Sequence, residues 1–154
     1  MKSAILFLAL AASLPAGATD YPHDRYVQSS ASAVCDSPWA NNTLRKRPLG
    51  VSNYGDRVEF VTCAWESLAG NGGVEQVGIV IANDRPDHVA ATCTLVQGVR
   101  DVGATYTVQT NAIWSGHSFP FIFDIENDSG LPVSMSCEVQ PGTEITFTWI
   151  KRAN

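Results

Sequence analysis

Hydrophobic and polar positions alternate with a period of two in several stretches of this chain. The clearest are residues 89–95, 119–125 and 133–139, where every second residue is apolar. The positions between them carry mostly small, polar or charged residues. Because successive side chains of a β-strand point to opposite faces, this pattern predicts strands with one buried face.

Further strands are predicted at residues 57–65, 75–83, 104–109 and 144–150, with a weaker one at 25–35 and a short one at 49–53. Clusters of Asn, Asp, Gly and Pro, which favour turns for local backbone reasons, separate these stretches. No stretch beyond residue 18 shows an extended helical period. We therefore predict an all-β, antiparallel β-sandwich of jelly-roll type. Pro120 cannot donate to a ladder, so it should lie on an edge strand or at a bulge.

The first residues have the pattern of a secretory signal peptide. Lys2 precedes an apolar run at residues 4–12, and Ala16-Gly17-Ala18 supplies a small-x-small cleavage site. A buried N-terminal helix is the alternative. We expect cleavage after Ala18, a single domain at residues 19–154, and a secreted or periplasmic protein. No second apolar run has spanning length, so no membrane span is predicted.

Charge argues against two classes of partner. The formal net charge is −5, and removing Lys2 with the signal peptide makes it −6. Nucleic acids and anionic membranes both favour a basic surface, so neither is expected as a partner. The one basic cluster, Arg45-Lys46-Arg47, is interpreted as a solvated loop. The oligomeric state is left open.

The four cysteines predict disulfides rather than a metal or thiol redox site. They are Cys35, Cys63, Cys93 and Cys137, and no CxxC spacing occurs among them. Four cysteines allow three pairings, and the sequence does not choose among them. The alternation places those within clear strands on the core side. We expect buried bridges in sequential order, Cys35–Cys63 and Cys93–Cys137, and no cofactor.

No catalytic signature is evident. His23, His88 and His117 lie far apart in sequence, without metal-ligand spacing, and no GxSxG motif occurs. Ser115 and Ser118 flank His117, but a triad also needs a group that orients the base. Loop polarity is the alternative for His117. The oxygen-rich segment 124–130 is read as a turn in preference to a calcium loop.

Tryptophan supplies the candidate binding residues. Trp39 and Trp114 fall in predicted loops, whereas Trp65 and Trp149 fall within strands and are assigned to the core. Exposed aromatic faces offer contact area to a sugar at little entropic cost. Trp39, Trp114 and His117 are therefore the candidate ligand-binding residues, with no catalytic or metal-binding residue proposed.

Four segments of the chain resemble a known pattern of strands and cysteines. They are Gly50-Val51-Ser52-Asn53, Val61-Thr62-Cys63, Ala91-Thr92-Cys93-Thr94-Leu95 and Ser134-Met135-Ser136-Cys137. This pattern is similar to that of uncharacterised small exported bacterial β-sandwich proteins with four cysteines. The resemblance implies the same fold and a location outside the cytoplasm, and it implies no activity and no site residue.

Three functions from different classes are considered. The first is a non-catalytic binding module that contacts a glycan or a cell-envelope surface through its end loops. The second is a periplasmic inhibitor or immunity-type protein that binds a secreted hydrolase, which a small acidic disulfide-bonded domain would suit. The third is a hydrolase that uses His117 or the acidic turns, and it ranks last.

Overall fold

The computed structural model describes residues 26–38, 43–65, 74–99, 103–125 and 132–152. The predicted signal peptide, His23 and Trp39 lie outside these ranges. The described residues form one short helix, α1 (Ala31–Val34), which is too short to cross a membrane, and eleven strands. The strands are β1 (Tyr26–Ser30), β2 (Cys35–Asp36), β3 (Leu44–Arg47), β4 (Gly50–Asn53), β5 (Glu59–Trp65), β6 (Val74–Asn83), β7 (Val89–Val99), β8 (Gly103–Ile113), β9 (Ser118–Asp124), β10 (Val133–Val139) and β11 (Thr143–Arg152).

The strands form two antiparallel sheets. One sheet has the order β3-β4-β11-β6-β9, and β1 also pairs with β11. The other has the order β2-β5-β10-β7-β8. The eight strands from β4 to β11 thus divide into two groups of four, β4-β11-β6-β9 and β5-β10-β7-β8, and consecutive strands mostly cross between the sheets. This is the two-sheet connectivity of a jelly roll, as predicted.

The alternating stretches supply the core between the sheets. In β10 every second residue, from Val133 to Val139, is buried, and β5 and the first half of β7 show the same alternation. In β9, Phe121 and Phe123 are fully buried and Phe119 is partly buried. Pro120 lies on β9, which is an edge strand of the six-stranded sheet. Its missing N–H therefore costs the sheet no ladder bond.

Both disulfides lie within the five-stranded sheet. Cys35 is bonded to Cys63, and Cys93 to Cys137, and each pair is directly opposed on neighbouring strands. All four side chains are buried. The sequential pairing expected from the sequence is therefore confirmed, and the bridges link strands of one sheet rather than the two sheets to each other.

Two buried asparagines terminate equivalent strands. Asn53 ends β4 and Asn83 ends β6, at the points where the chain crosses to the other sheet. The side-chain amide of Asn53 donates to the carbonyls of Arg57 and Val139, while its oxygen accepts from the Gly55 amide. The side chain of Asn83 makes the corresponding hydrogen bonds to the loop that follows β6, with the Asp87 carbonyl and the Arg85 amide. Each asparagine is followed ten residues later by a bonded cysteine, Cys63 or Cys93.

Two regions differ from the sequence-based prediction. The basic cluster forms strand β3, which pairs with β4 as a hairpin, and is not a loop. The weak strand predicted at 25–35 is divided by α1 into β1 and β2, which join different sheets. Ala31 in this helix is fully buried. The alternation in this segment is weak, and burying Ala31 in a short helix between the two sheets is favoured over one continuous strand.

Candidate functional site

The loops that cross between the sheets at one end of the sandwich are joined by backbone hydrogen bonds. The backbone N–H of Asn83 donates to the His117 carbonyl at 2.9 Å, and the backbone N–H of Gly116 donates to the backbone carbonyl of Asn83 at 2.8 Å. The Gly142 amide donates to the Asn53 carbonyl at 2.8 Å. We call this surface, made by residues 55–58, 84–88, 114–117 and 140–142, the loop end.

Trp114 and His117 both lie at the loop end. The Trp114 side chain is 67% exposed, and its ring lies 5.5 Å from that of His88 at an angle of 46°. His117 is exposed, and its Nδ1 lies 2.8 Å from the carbonyl oxygen of Ser115. Because this contact is with a backbone carbonyl, the described residues do not assemble a serine, a histidine and an orienting acid. Trp39 lies outside the described residues.

A second aromatic surface lies on the outer face of the six-stranded sheet. It is formed by Phe147 and Trp149 of β11 together with Ile122 of β9, and we call it the aromatic face. The Phe147 and Trp149 ring centroids are 5.7 Å apart, and the ring planes are inclined by only 33°. Phe147 is 36% exposed, Ile122 is 41% exposed, and Trp149 is half-buried. The two rings therefore present neighbouring, mutually tilted apolar surfaces on the outer face of the sheet.

Glycine at position 78 makes room for the indole. Gly78 of β6 is paired with Trp149, and a Cβ atom at this position would collide with Cζ2, Cη2 and Cε2 of the indole. The benzene ring of Trp149 therefore lies against the backbone of β6. This contact fixes the ring along the sheet surface.

The position of Trp149 corrects the sequence-based assignment to the core. Strict alternation would place Ile145, Phe147 and Trp149 on one face. The pairing of β11 with β6 shifts register between Ile145 and Phe147, so Ile145 points inward while Phe147 and Trp149 point outward. Thr148 and Ile150 are the buried residues beyond the shift. A one-residue bulge exchanges the two faces of the strand. Trp65 is buried, which agrees with its core assignment.

A groove adjoins the aromatic face. It has a volume of about 430 Å³ and is lined by Gln28, Ser29, Ser30, Leu49, Thr146 and Phe147. It lies where β1 ends beside the turn between β3 and β4. Ser30 Oγ donates to the Pro48 carbonyl at 2.8 Å, which ties that turn to β1. Leu49 is 78% exposed and forms the apolar rim opposite Phe147.

Polar side chains surround the aromatic rings. Gln28 of β1 is paired with Trp149 across the strands, and its side chain is exposed. On the other side, the Gln76 amide donates to Asp124 at 2.8 Å. Lys151 lies two residues beyond Trp149, on the same face of β11, and forms an ion pair with Glu75 at 2.7 Å. The face therefore combines apolar stacking surface with amide and carboxylate groups that can bond hydroxyls.

A cluster of two arginines and a tyrosine lies on the same outer face. The guanidinium carbons of Arg45 and Arg47 lie 5.1 and 4.8 Å from the centre of the Tyr54 ring. Both distances are within the range of a cation–π contact. We call these three residues the arginine cluster. Lys46 points to the other side, where it pairs with Asp36 at 3.3 Å.

Sequence reasoning did not find the aromatic face or the arginine cluster. The signal for the first was the sequence Phe147-Thr148-Trp149 in a strand facing a glycine, but the bulge that turns these rings outward has no sequence mark of its own. The signal for the second was the alternation of Arg45 and Arg47, which places both on one face once the segment is recognised as a strand.

Comparisons with known proteins support the fold. No known protein-family model matches the chain, and no curated protein matches it. Among solved structures, the chain is similar to the CBM22-1–GH10 modules of Clostridium thermocellum endo-1,4-beta-D-xylanase 10B, complexed with xylohexaose. The TM-score is 0.51 at 9% identity, over 85% of this chain and only 26% of that one.

Two further solved structures match the chain at lower TM-scores. One is the xylan-binding module CBM15, with a TM-score of 0.49, 10% identity, and coverage of 84% of this chain and 97% of that one. The other is the CBM36-1 domain of a multidomain xylanase from the hindgut metagenome of Trinervitermes trinervoides. Its TM-score is 0.47 at 14% identity, over 84% of this chain and 98% of that one. The two packed sheets give the chain the fold class of a β-sandwich, which by itself assigns no ligand.

Proposed function

We propose that this protein is a non-catalytic glycan-binding module that acts outside the cytoplasm and binds its ligand on the aromatic face. The observation that carries the proposal is the pair of neighbouring rings, Phe147 and Trp149, of which the indole lies along the sheet in contact with Gly78. The C–H bonds on one face of a sugar ring stack against the negative face of an aromatic ring. Because the indole is held against Gly78 before binding, little of its side-chain entropy is lost when the sugar stacks.

Side chains around the rings can supply the hydrogen bonds to sugar hydroxyls that aromatic stacking does not provide. Gln28 and Gln76 flank Trp149 from opposite sides and can exchange hydrogen bonds with sugar hydroxyls. The groove beside Phe147 gives a chain of sugars room to continue toward Leu49. A few oriented polar groups around an apolar surface are the usual composition of a small-molecule site.

The extracytoplasmic location is part of the proposal. It rests on the signal-peptide pattern at residues 1–18 and on the two disulfides, because such bonds persist mainly in oxidising compartments. The solved xylanase modules similar in fold carry xylohexaose, which makes that oligosaccharide the first ligand to test.

The proposal is tested by substituting the rings. Purified mature protein is titrated with xylohexaose and screened on a glycan array, beside Phe147→Ala and Trp149→Ala. We expect each substitution to weaken binding of a recognised glycan about tenfold or more, because truncating a central aromatic contact typically costs 2 kcal/mol or more.

Trp114→Ala is the matched control, since it removes an exposed tryptophan from the loop end. It should leave the affinity within about twofold. Loss of binding in Trp114→Ala alone would place the site at the loop end, with Trp114 and His117, and would contradict the aromatic face. A stoichiometric protein partner from envelope extracts, together with no glycan binding, would favour the inhibitor function instead.

A further inference from the structure

The arginine cluster is a local concentration of positive charge on an acidic protein. The chain has a net charge of −5, yet Arg45 and Arg47 both lie against one tyrosine ring. Among the described residues no Asp or Glu forms an ion pair with either guanidinium. The third cation of the strand, Lys46, is paired with Asp36 on the opposite side. Within the described part of the chain, the two guanidinium groups thus contact an aromatic ring and no carboxylate counterion.

The acidic neighbour on this face is already engaged. Glu144 lies in register with Ser52, which is also paired with Arg45. The Glu144 carboxylate accepts a hydrogen bond from Ser52 Oγ at 2.7 Å and leans over Gly50. Two arginines and one glutamate leave this part of the face with a formal charge of +1. It is therefore suited to a ligand group that carries one negative charge.

The cluster is continuous with the aromatic face. Arg47 is paired with Gly50, and the next strand across is β11, near its bulge before Phe147. Neighbouring strands lie about 4.8 Å apart, so the Arg47 backbone lies roughly 10 Å from that part of β11. The groove lined by Leu49 and Phe147 borders the turn that follows Arg47. One glycan chain that stacks on Phe147 can extend across the groove to the arginines.

We propose that the arginine cluster binds a singly charged acidic group of the glycan, a uronic-acid carboxylate or a sulfate ester, while the aromatic face binds its sugar rings. The planar guanidinium fork matches the paired oxygens of such groups, and charge-assisted bonds are stronger than neutral ones. This inference rests on the proposed function, because it names the class of sugar that the same surface selects.

The test compares each acidic polysaccharide with a form in which an uncharged hydroxyl or hydroxymethyl group replaces the charged group. Polygalacturonate and alginate are each compared with their carboxyl-reduced forms, and κ-carrageenan with its desulfated form, by affinity gel electrophoresis of the mature protein. We expect at least one acidic polysaccharide to bind about tenfold more tightly than its neutral form. The pair that shows the difference identifies carboxylate or sulfate. The difference should shrink as salt rises, because exposed charges are screened.

Two variants assign the effect to the cluster. The double variant Arg45→Gln/Arg47→Gln should lose the preference, whereas Lys46→Gln removes a charge from the same strand and should keep it. Equal unfolding midpoints would show that both variants remain folded. Equal binding within every pair, or loss of the preference in Lys46→Gln, would overturn the inference. Binding without preference that still needs Trp149 leaves the proposed function intact. Failure to bind any of these polysaccharides, by a protein that binds a neutral glycan on the array, overturns this inference alone, whereas binding of no glycan at all contradicts both.

Discussion

Asn83 is fully buried and joins three parts of the chain through one side chain. Its amide donates to the carbonyls of Asp87 and Ile113 at 2.8 and 2.9 Å, and its oxygen accepts from the Arg85 amide at 3.0 Å. Asn83→Ala would leave the Ile113 carbonyl and the Arg85 amide without these partners. We expect the free energy of unfolding to fall by about 2–4 kcal/mol, since each unsatisfied buried group costs roughly 1–3 kcal/mol. Urea denaturation measures this change.

Asn83→Asp is the informative companion because it keeps the shape and the accepting oxygen but removes both donors. It should be at least as destabilising as Asn83→Ala at neutral pH, since it also buries a charge. Asn53→Ala should resemble Asn83→Ala, because Asn53 makes the corresponding bonds at the end of β4. Stability of Asn83→Asp close to that of the parent would show that these hydrogen bonds contribute little.

Single residues also mark the limit of what the sequence predicts. Turn chemistry correctly placed Asn83 at the start of a connection, but nothing local to it shows that its amide reaches Ile113 across the sandwich. Alternation correctly buried Cys93 and Met135, yet it placed Trp149 in the core. The bulge in β11 depends on pairing with a distant strand, so it follows from tertiary structure and not from the local pattern.

At the scale of elements, the disulfides join strands that the sheet already pairs. The Cys93–Cys137 bridge links residues 44 apart in sequence, and the loop-entropy relation gives it about 4 kcal/mol. The double variant Cys93→Ala/Cys137→Ala should therefore lose about that much unfolding free energy in urea. An unchanged unfolding free energy would contradict a stabilising role for this bridge.

The second bridge provides a matched comparison. Cys35–Cys63 links residues 28 apart, which corresponds to about 3.5 kcal/mol by the same relation. It also anchors β2, which has only two residues and follows α1. Cys35→Ala/Cys63→Ala should therefore show faster amide exchange at β2, whereas the Cys93–Cys137 variant should not show this local effect.

Strong alternation made most strands predictable, and its absence explains the exceptions. β10 was predicted with the same boundaries that it has in the structure, Val133–Val139, because one of its faces is fully apolar. β3 was not predicted because it belongs to an edge hairpin that buries little apolar surface. Its sequence is therefore mostly charged, and a short charged segment resembles a loop. The same edge position is what makes its two arginines available to a ligand.

At the scale of the whole molecule, the sandwich presents two separate aromatic surfaces. Gly78 lies five residues from Asn83 along β6, so Trp149 is roughly 17 Å from the loop end at about 3.4 Å per residue. The sequence pointed to the loop end, because Trp114 is a loop residue. The structure adds a sheet surface with two adjacent rings, a groove and a positive cluster. A ligand that binds one surface need not contact the other.

The central claim is that a glycan stacks on Trp149, and the indole N–H signals test it directly. The chain has four tryptophans, so a ¹H–¹⁵N spectrum of the mature protein contains four indole signals that single substitutions assign. Xylohexaose and the acidic polysaccharide fragments are titrated into this sample. The account predicts a saturable shift of the Trp149 signal with little change at Trp114. A shift at Trp114 without one at Trp149, or no shift with any glycan, would contradict it.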